Sequence, residues 1–169
     1  NYLETLVWAE AERMSNLTVD ETNFQSERAV VEEEFRQSVL AQPYGMFNEY
    51  IQQLSYTAHP YKRTTIGTLA DLDAATLADV QKFHSTYYRP DNATLIVVGD
   101  FDQAQLDGWI DKYFGRIAKP TATIPRVTEV EPARSHESRF AKTAPNVPFP
   151  AVAISYLGPK SDDADIPAL

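Results

Sequence analysis

The sequence predicts an α+β fold, in which most of the chain is helical and a few apolar segments form strands. Apolar residues recur at helical spacing in several segments between residues 2 and 114. Apolar runs of strand length occupy 93–100 and 149–157, with a further candidate strand at 136–143. A stretch rich in Pro, Thr and Ala at 118–132 has no helical period and is typical of a linker.

Composition limits the class of protein. The 169 residues allow one domain, or one and a part of another, and 43% apolar with 23% charged residues is ordinary for a soluble globular protein. A net charge of −9 argues against nucleic-acid binding, and no run approaches the ~20 apolar residues of a membrane span. The absence of cysteine excludes disulfides and thiolate metal sites. It leaves the compartment open, with a periplasmic or secreted bacterial setting favoured.

The chain begins inside a helical pattern. Apolar residues at helical spacing predict a first helix over residues 2–17. Because there is no initiator Met and the pattern is already under way at the start, we expect this chain to be a fragment of a longer protein.

A long second helix is predicted from about residue 19 to residue 41. Thr18 and Glu21 have the spacing of a capping box, which would begin the helix. Pro43 and Gly45 would end it, and another helix is predicted over 44–54.

Two glutamates of the second helix lie on its apolar side. At about 100° per residue, Glu27 and Glu34 fall about 20° apart between Val30 and Val31. Carboxylates that face a core are costly unless they are paired, hydrogen-bonded or bound to a metal. Their backbones are about 10 Å apart, which suits one metal ligand and one carboxylate that orients a ligand from elsewhere. The alternative is that they are acids of a charged helix whose side chains reach past the core to water.

Further along, the pattern predicts two more helices. One runs from 74 to about 88 with Asp73 as its N-cap, and one begins near Asp102 and closes at Gly115. We interpret His84, on the apolar side of the first of these, as a core residue. His59, which precedes a proline in a loop, is interpreted as structural rather than as a metal ligand.

Three stretches together resemble one family. They are Glu-Arg-x-Val-Val-x-x-Glu at 27–34, His-Pro-Tyr with Ile-Gly at 59–67, and Phe-x-x-x-Tyr-Tyr-x-Pro-x-Asn-x-x-Leu-x-Val-Val-Gly-Asp at 83–100. The pattern is similar to that of the M16 zinc peptidases, the family of insulinase, pitrilysin and the mitochondrial processing peptidase. Val-x-Ile-x-Tyr-x-Gly-Pro at 152–159 resembles the opening of that family's second lobe.

The resemblance implies a particular domain arrangement. Residues 1–117 would be the later part of a first M16 metallopeptidase-like (LuxS/MPP-like) lobe, and 118–132 a linker. Residues 133–169 would begin a second, incomplete lobe of the same kind.

The resemblance also implies a function. The full-length parent would be a zinc-dependent endopeptidase that hydrolyses peptides or unfolded protein segments, with Glu34 as the third zinc ligand and Glu27 as a supporting carboxylate. The family's His-x-x-Glu-His motif supplies the other two ligands and the general base; it is absent from this sequence and in the family lies upstream. We therefore expect the fragment alone to be inactive. The alternative is a non-catalytic M16-like subunit that acts as scaffold or partner of an active peptidase. The expected partners are a peptide substrate and a second M16-like subunit or a second copy.

Overall fold

A computed structural model describes residues 2–144, 146–160 and 163–168. Its regular structure is helical. The α-helices are α1 Leu3–Ser15, α2 Glu21–Phe35, α3 Phe47–Ser55, α4 Leu69–Ala74, α5 Leu77–Tyr87 and α6 Gln103–Tyr113. A π-helical turn, Arg36–Leu40, continues α2, and short 3₁₀ turns form at Pro60–Lys62, Pro90–Asn92 and Ile166–Ala168.

The strands predicted at 93–100, 136–143 and 149–157 are not formed, and none of the described residues belongs to a β-strand. The strand part of the α+β prediction is therefore not confirmed. A strand requires a hydrogen-bonded neighbour as well as an apolar run, and these segments have none here. Most of their apolar side chains are exposed, with Val98 at 91% and Val152 at 85%.

The chain divides into two compact units. The first contains residues 1–28 and 74–126, and the second contains residues 29–73 and 127–169. The division falls inside α2, between Arg28 and Ala29. Each unit therefore combines segments that are distant in sequence.

In the first unit α1 packs against α6. Val7 and Ala11 of α1 and Leu106 of α6 are buried, so the apolar faces of the two helices provide the core of this unit. The spacing of Val7 and Ala11, one helical turn apart, places both on one face of α1. Burial of such faces is the main stabilising contribution to a helix pair of this kind.

Polar contacts also join α1 to α6. Glu4 accepts hydrogen bonds from Lys112 Nζ at 2.8 Å and from Tyr113 Oη at 2.9 Å. These hydrogen bonds lower the pKa of Glu4, and the bond to Glu4 raises the pKa of Lys112. The pair is exposed, so its net contribution to stability is small.

The second unit has a more polar interior. Among its described residues the buried ones are Phe35, Glu49 and Ser55, of which Phe35 alone is apolar. Hydrogen bonds between α3, the loop after it and the segment from residue 127 onward therefore carry much of its internal connection.

Two helix starts differ from the prediction. Asp20 rather than Thr18 caps α2, since Asp20 Oδ1 accepts the Asn23 N–H at 2.8 Å. The helix predicted from 74 to 88 is two helices, α4 and α5, and Asp73 lies inside α4. Thr76 caps α5 through a capping box with Asp79. The Thr76 side chain accepts the Asp79 N–H and the Asp79 side chain accepts the Thr76 N–H, whereas Asp73 lies too far upstream to reach these groups.

Glycine and a strained tyrosine form the turn between α2 and α3. A Cβ on Gly45 would lie 1.7 Å from Val39 O, so only glycine fits this close approach. Tyr44 has a φ of 60°, an uncommon conformation for a bulky residue. The prediction that Gly45 helps to end the long helix is confirmed in this sense.

Candidate functional site

Glu27 and Glu34 both lie on α2, where consecutive helical residues place them two turns apart. Both side chains are exposed. The apolar surroundings expected from the helical spacing are thus not provided by the described residues, and Val30 beside them is 57% exposed. In this chain the two side chains are open to water.

The other glutamates of α2 have partners. Glu32 and Glu33 pair with Arg36 at 3.1 Å and 3.6 Å, and Glu21 accepts a hydrogen bond from Gln25 at 2.6 Å. The carboxylates of Glu27 and Glu34 form no hydrogen bond or ion pair with any residue in the described part of the chain. The carboxylate of Glu34 is therefore available to bind a group that comes from outside these residues.

The backbone around Glu34 is held in place on one side. Phe35, the next residue, is 4% exposed and anchors this end of α2. The π-helical turn Arg36–Leu40 follows at once. Insertions of this type are rare in helices and are frequent at functional sites.

A complete metal site is not assembled. Within residues 2–144, 146–160 and 163–168, no three His, Cys, Asp or Glu side chains lie close enough to share a metal ion. A catalytic zinc ion takes three protein ligands and a water molecule. Glu34 has the right chemistry for one of them, since a carboxylate oxygen is a usual zinc ligand.

Each of the three histidines has a hydrogen-bond partner, which is local for His59 and His136 and distant in sequence for His84. His59 Nδ1 accepts the Tyr61 N–H at 3.2 Å, and His84 Nε2 lies 2.9 Å from Arg13 O. His136 Nδ1 lies 3.1 Å from Ser135 Oγ. His84 is half-buried and stacks on Tyr88, in accord with its interpretation as a packed residue.

Glu131 was not singled out by the sequence, yet it is the most strongly bound carboxylate described. Its Oε1 accepts from Thr57 N and Thr57 Oγ1, both at 2.7 Å. Its Oε2 accepts from Ala58 N at 2.9 Å and from His59 N at 2.8 Å. Desolvation raises the pKa of Glu131, but the hydrogen bonds from His59, Thr57 and Ala58 outweigh it and lower the pKa to about 2.

Arg89 is a second group that the sequence did not reveal. Although charged, it is only 4% exposed. Its Nε and Nη2 donate to the two oxygens of Asp91 at 2.6 Å and 2.8 Å. Nη1 donates to Ala122 O and Nη2 to Pro120 O, both at 2.9 Å. The bond to Arg89 lowers the pKa of Asp91, and the cluster ties the segment at 120–122 to the turn after α5.

A concavity lies in the second unit. It has a volume of about 340 Å³. Its lining residues are Pro60, Arg63, Thr64, Thr65, Gly67 and Asp71. Thr64 donates a hydrogen bond to the buried carboxylate of Glu49, which fixes one wall of this groove.

Comparison with known proteins identifies the family. Residues 74–169, more than half of the chain, match the family described as "Peptidase M16 inactive domain". The chain belongs to the M16 peptidase family. This confirms the resemblance drawn from the three sequence stretches.

Individual M16 relatives agree with this membership. A protein of Helicobacter pylori named "Zinc protease PqqE" is 34% identical over 160 residues, which cover 94% of this chain and 36% of that protein. Subunit beta of the mitochondrial-processing peptidase of Saccharomyces cerevisiae is 25% identical over 77 residues, which cover 46% of this chain and 17% of that protein. The chain thus spans about a third of the first relative and a smaller part of the second.

A solved structure shares the fold. The crystal structure of a protease from Helicobacter pylori superposes with a TM-score of 0.73 at 36% identity, over 78% of this chain and 32% of that one. No helix in the described ranges has the length and apolar character that crossing a membrane requires.

Proposed function

We propose that this M16 chain is part of a zinc-dependent endopeptidase that hydrolyses peptides or unfolded protein segments. The observation that carries the proposal is the exposed carboxylate of Glu34, which has no partner among the described residues and lies at the position of the motif that resembles the family's third zinc ligand. The similarity of 94% of the chain to a protein named a zinc protease supports it.

In this proposal each glutamate of α2 has a distinct role. Glu34 coordinates the metal, and Phe35 and the π-helical turn hold its backbone. Glu27, two turns away, accepts a hydrogen bond from a ligand histidine and so fixes that ligand's orientation. When bound, zinc supplies a Lewis acid and lowers the pKa of a coordinated water. The remaining ligands and the base come from a His-x-x-Glu-His helix of the parent.

The proposal includes the α+β fold of an M16 lobe. The segments 93–100 and 149–157 have the apolar content of buried strands but expose it here. We expect them to pair with strands that other parts of the parent provide. A periplasmic or secreted bacterial location is proposed with it.

The test uses the full-length parent protein. Glu34→Gln keeps the size of the side chain but removes the anionic ligand, so bound zinc and peptide hydrolysis should both fall by at least about 100-fold. Glu27→Gln should lower zinc affinity or activity by about 10–100-fold, because it perturbs a ligand's orientation rather than removing a ligand. Zinc content is measured by elemental analysis, and hydrolysis on an unfolded protein substrate.

Glu33→Gln is the matched control. Glu33 lies next to Glu34 but pairs with Arg36 on an exposed face, so this variant should retain zinc and activity. Full zinc content and full activity in Glu34→Gln would contradict the proposed ligand role.

A second candidate function is a non-catalytic M16 subunit that acts as scaffold or partner of an active peptidase. Two observations favour it: the description of the matching family as an inactive domain, and similarity to a protein named as a subunit. The reading frame upstream of Asn1 distinguishes the two candidates. An intact His-x-x-Glu-His supports the peptidase, and a frame without it supports the partner subunit.

A further inference from the structure

Three consecutive backbone amides after α3 converge on one carboxylate. The N–H groups of Thr57, Ala58 and His59 all donate to Glu131, at 2.7, 2.9 and 2.8 Å. The Thr57 hydroxyl adds a fourth hydrogen bond at 2.7 Å. Successive N–H groups arranged in this way form a concave site for an anion, often called a nest.

The donors of this nest come from a short segment with its own local supports. Ser55, at the end of α3, is 7% exposed, and the 3₁₀ turn Pro60–Lys62 begins directly after His59. His59 Nδ1 accepts the Tyr61 N–H at 3.2 Å, which fixes the turn from the other side. The rings of Tyr56, His59 and Tyr61 contact one another, with centroids 4.4–6.1 Å apart. None of these contacts involves Glu131.

The acceptor, by contrast, comes from a distant segment. Glu131 is 72–74 residues away from its donors. Three residues further on, Arg134 donates to Ser155 O at 2.8 Å and to Ser55 O. The segment at 131–134 therefore attaches to both ends of residues 55–59. The guanidinium of Arg134 binds the Ser55 end, and the carboxylate of Glu131 binds residues 57–59.

We propose that residues 57–59 form a preformed carboxylate-binding site whose built-in occupant is Glu131. The site recognises a carboxylate through two oxygens, one for Thr57 and one for the amides of Ala58 and His59. Because Glu131 is tethered to the same chain, its effective concentration exceeds that of a dissolved carboxylate at low millimolar level. The segment at 131–134 is thus held as an intramolecular ligand, and the nest accepts an external carboxylate only when Glu131 is absent.

The experiment measures amide chemical shifts and hydrogen exchange of residues 57–59 by NMR in this chain. Glu131→Ala should move these three amide resonances and accelerate their exchange by about tenfold or more, because each loses a charge-assisted hydrogen bond. Addition of formate to the variant should restore shifts and protection in a saturable manner. Chloride at the same ionic strength should not.

Glu129→Ala is the matched control, since Glu129 lies in the same segment and, among the described residues, accepts only from the neighbouring Thr128 N–H. It should leave residues 57–59 unchanged. If Glu131→Ala proves poorly folded, Glu131→Gln decides the question: it retains one acceptor oxygen, so either Thr57 or the pair Ala58 and His59 should lose protection while the others keep it.

Two results would overturn the proposal. Unchanged amides in Glu131→Ala, or uniform behaviour of all three amides in Glu131→Gln, would show that Glu131 does not occupy the site as described. Loss of protection that formate does not restore in a folded variant would show that Glu131 builds the loop rather than filling a preformed site.

Discussion

Two glutamates of the second unit have opposite surroundings. Glu34 is exposed and its carboxylate has no partner among the described residues, whereas Glu131 accepts four hydrogen bonds. A carboxylate without partners can take up a metal ion with little competition. A carboxylate that accepts four hydrogen bonds holds two segments of the chain together and is not open to a metal ion. The two glutamates therefore differ in role because of their surroundings, although the residue type is the same.

The hydrogen bonds to Glu131 predict that the stability of the fold depends on pH. Its pKa is lowered from 4.5 to about 2, so the folded state binds this proton more weakly than the unfolded state. The stabilisation that it contributes is complete above pH 4.5, decreases as the pH falls through this range, and is lost near pH 2. The groups facing the carboxylate are the amides of residues 57–59 and the Thr57 hydroxyl.

An acid titration followed by NMR checks this dependence. The amide resonances of residues 57–59 should shift with a midpoint near the Glu131 pKa of about 2, or at the onset of acid unfolding if that comes first. Glu131→Gln should abolish the transition. A midpoint near 4.5 in the folded chain would contradict the bonding geometry.

At the scale of elements, the backbone after α2 is constrained by a close approach. The helix passes into a π-helical turn at Arg36–Leu40, and the backbone then returns so that Gly45 meets Val39 O. This close approach lies between the π-helical turn and α3, which begins at Phe47. Glu34 lies just before the π-helical turn.

Alanine substitutions at two glycines test this constraint. Gly45→Ala should lower the free energy of unfolding by about 1–3 kcal/mol, because its Cβ would lie 1.7 Å from Val39 O and the backbone must shift. Gly108→Ala, inside α6 with no atom within 4 Å of the added Cβ, should raise it by about 0.5–1 kcal/mol. Both are measured by urea denaturation. Equal effects of the two substitutions would refute the close approach.

At the scale of the whole molecule, the chain offers one proposed zinc ligand where a catalytic site takes three. We therefore expect this chain alone to bind zinc weakly and to hydrolyse no peptide, since no described group of three ligating side chains exists. Isothermal titration calorimetry with zinc measures the first point and a fluorescent peptide assay the second. Micromolar zinc affinity that disappears in Glu34→Gln would be incompatible with this expectation.

The helices of this protein could be predicted because their signals are local. The helix predicted to begin near Asp102 is α6, and Asp102 caps it with a side chain that accepts the Gln105 N–H at 2.8 Å. The start of α5 was predicted wrongly because Asp73 and Thr76 are both residues that favour an N-cap. Thr76 caps α5, since with Asp79 it satisfies two free N–H groups. The roles of Glu27 and Glu34 stay predictions, because they depend on ligands that this sequence does not contain.

The helical segments and the common side of the two glutamates on α2 could be predicted from the sequence, because they follow from periodicity, which acts over a few residues. The M16 family could be predicted because three stretches resemble its motifs, and the family match over residues 74–169 confirms it. The tertiary structure was needed to show that the apolar run at 93–100 forms no strand, that Arg89 is buried and that Glu131 fills a nest of amides. Each of these depends on whether a segment far away in the chain supplies a partner, and no local pattern specifies such a partner.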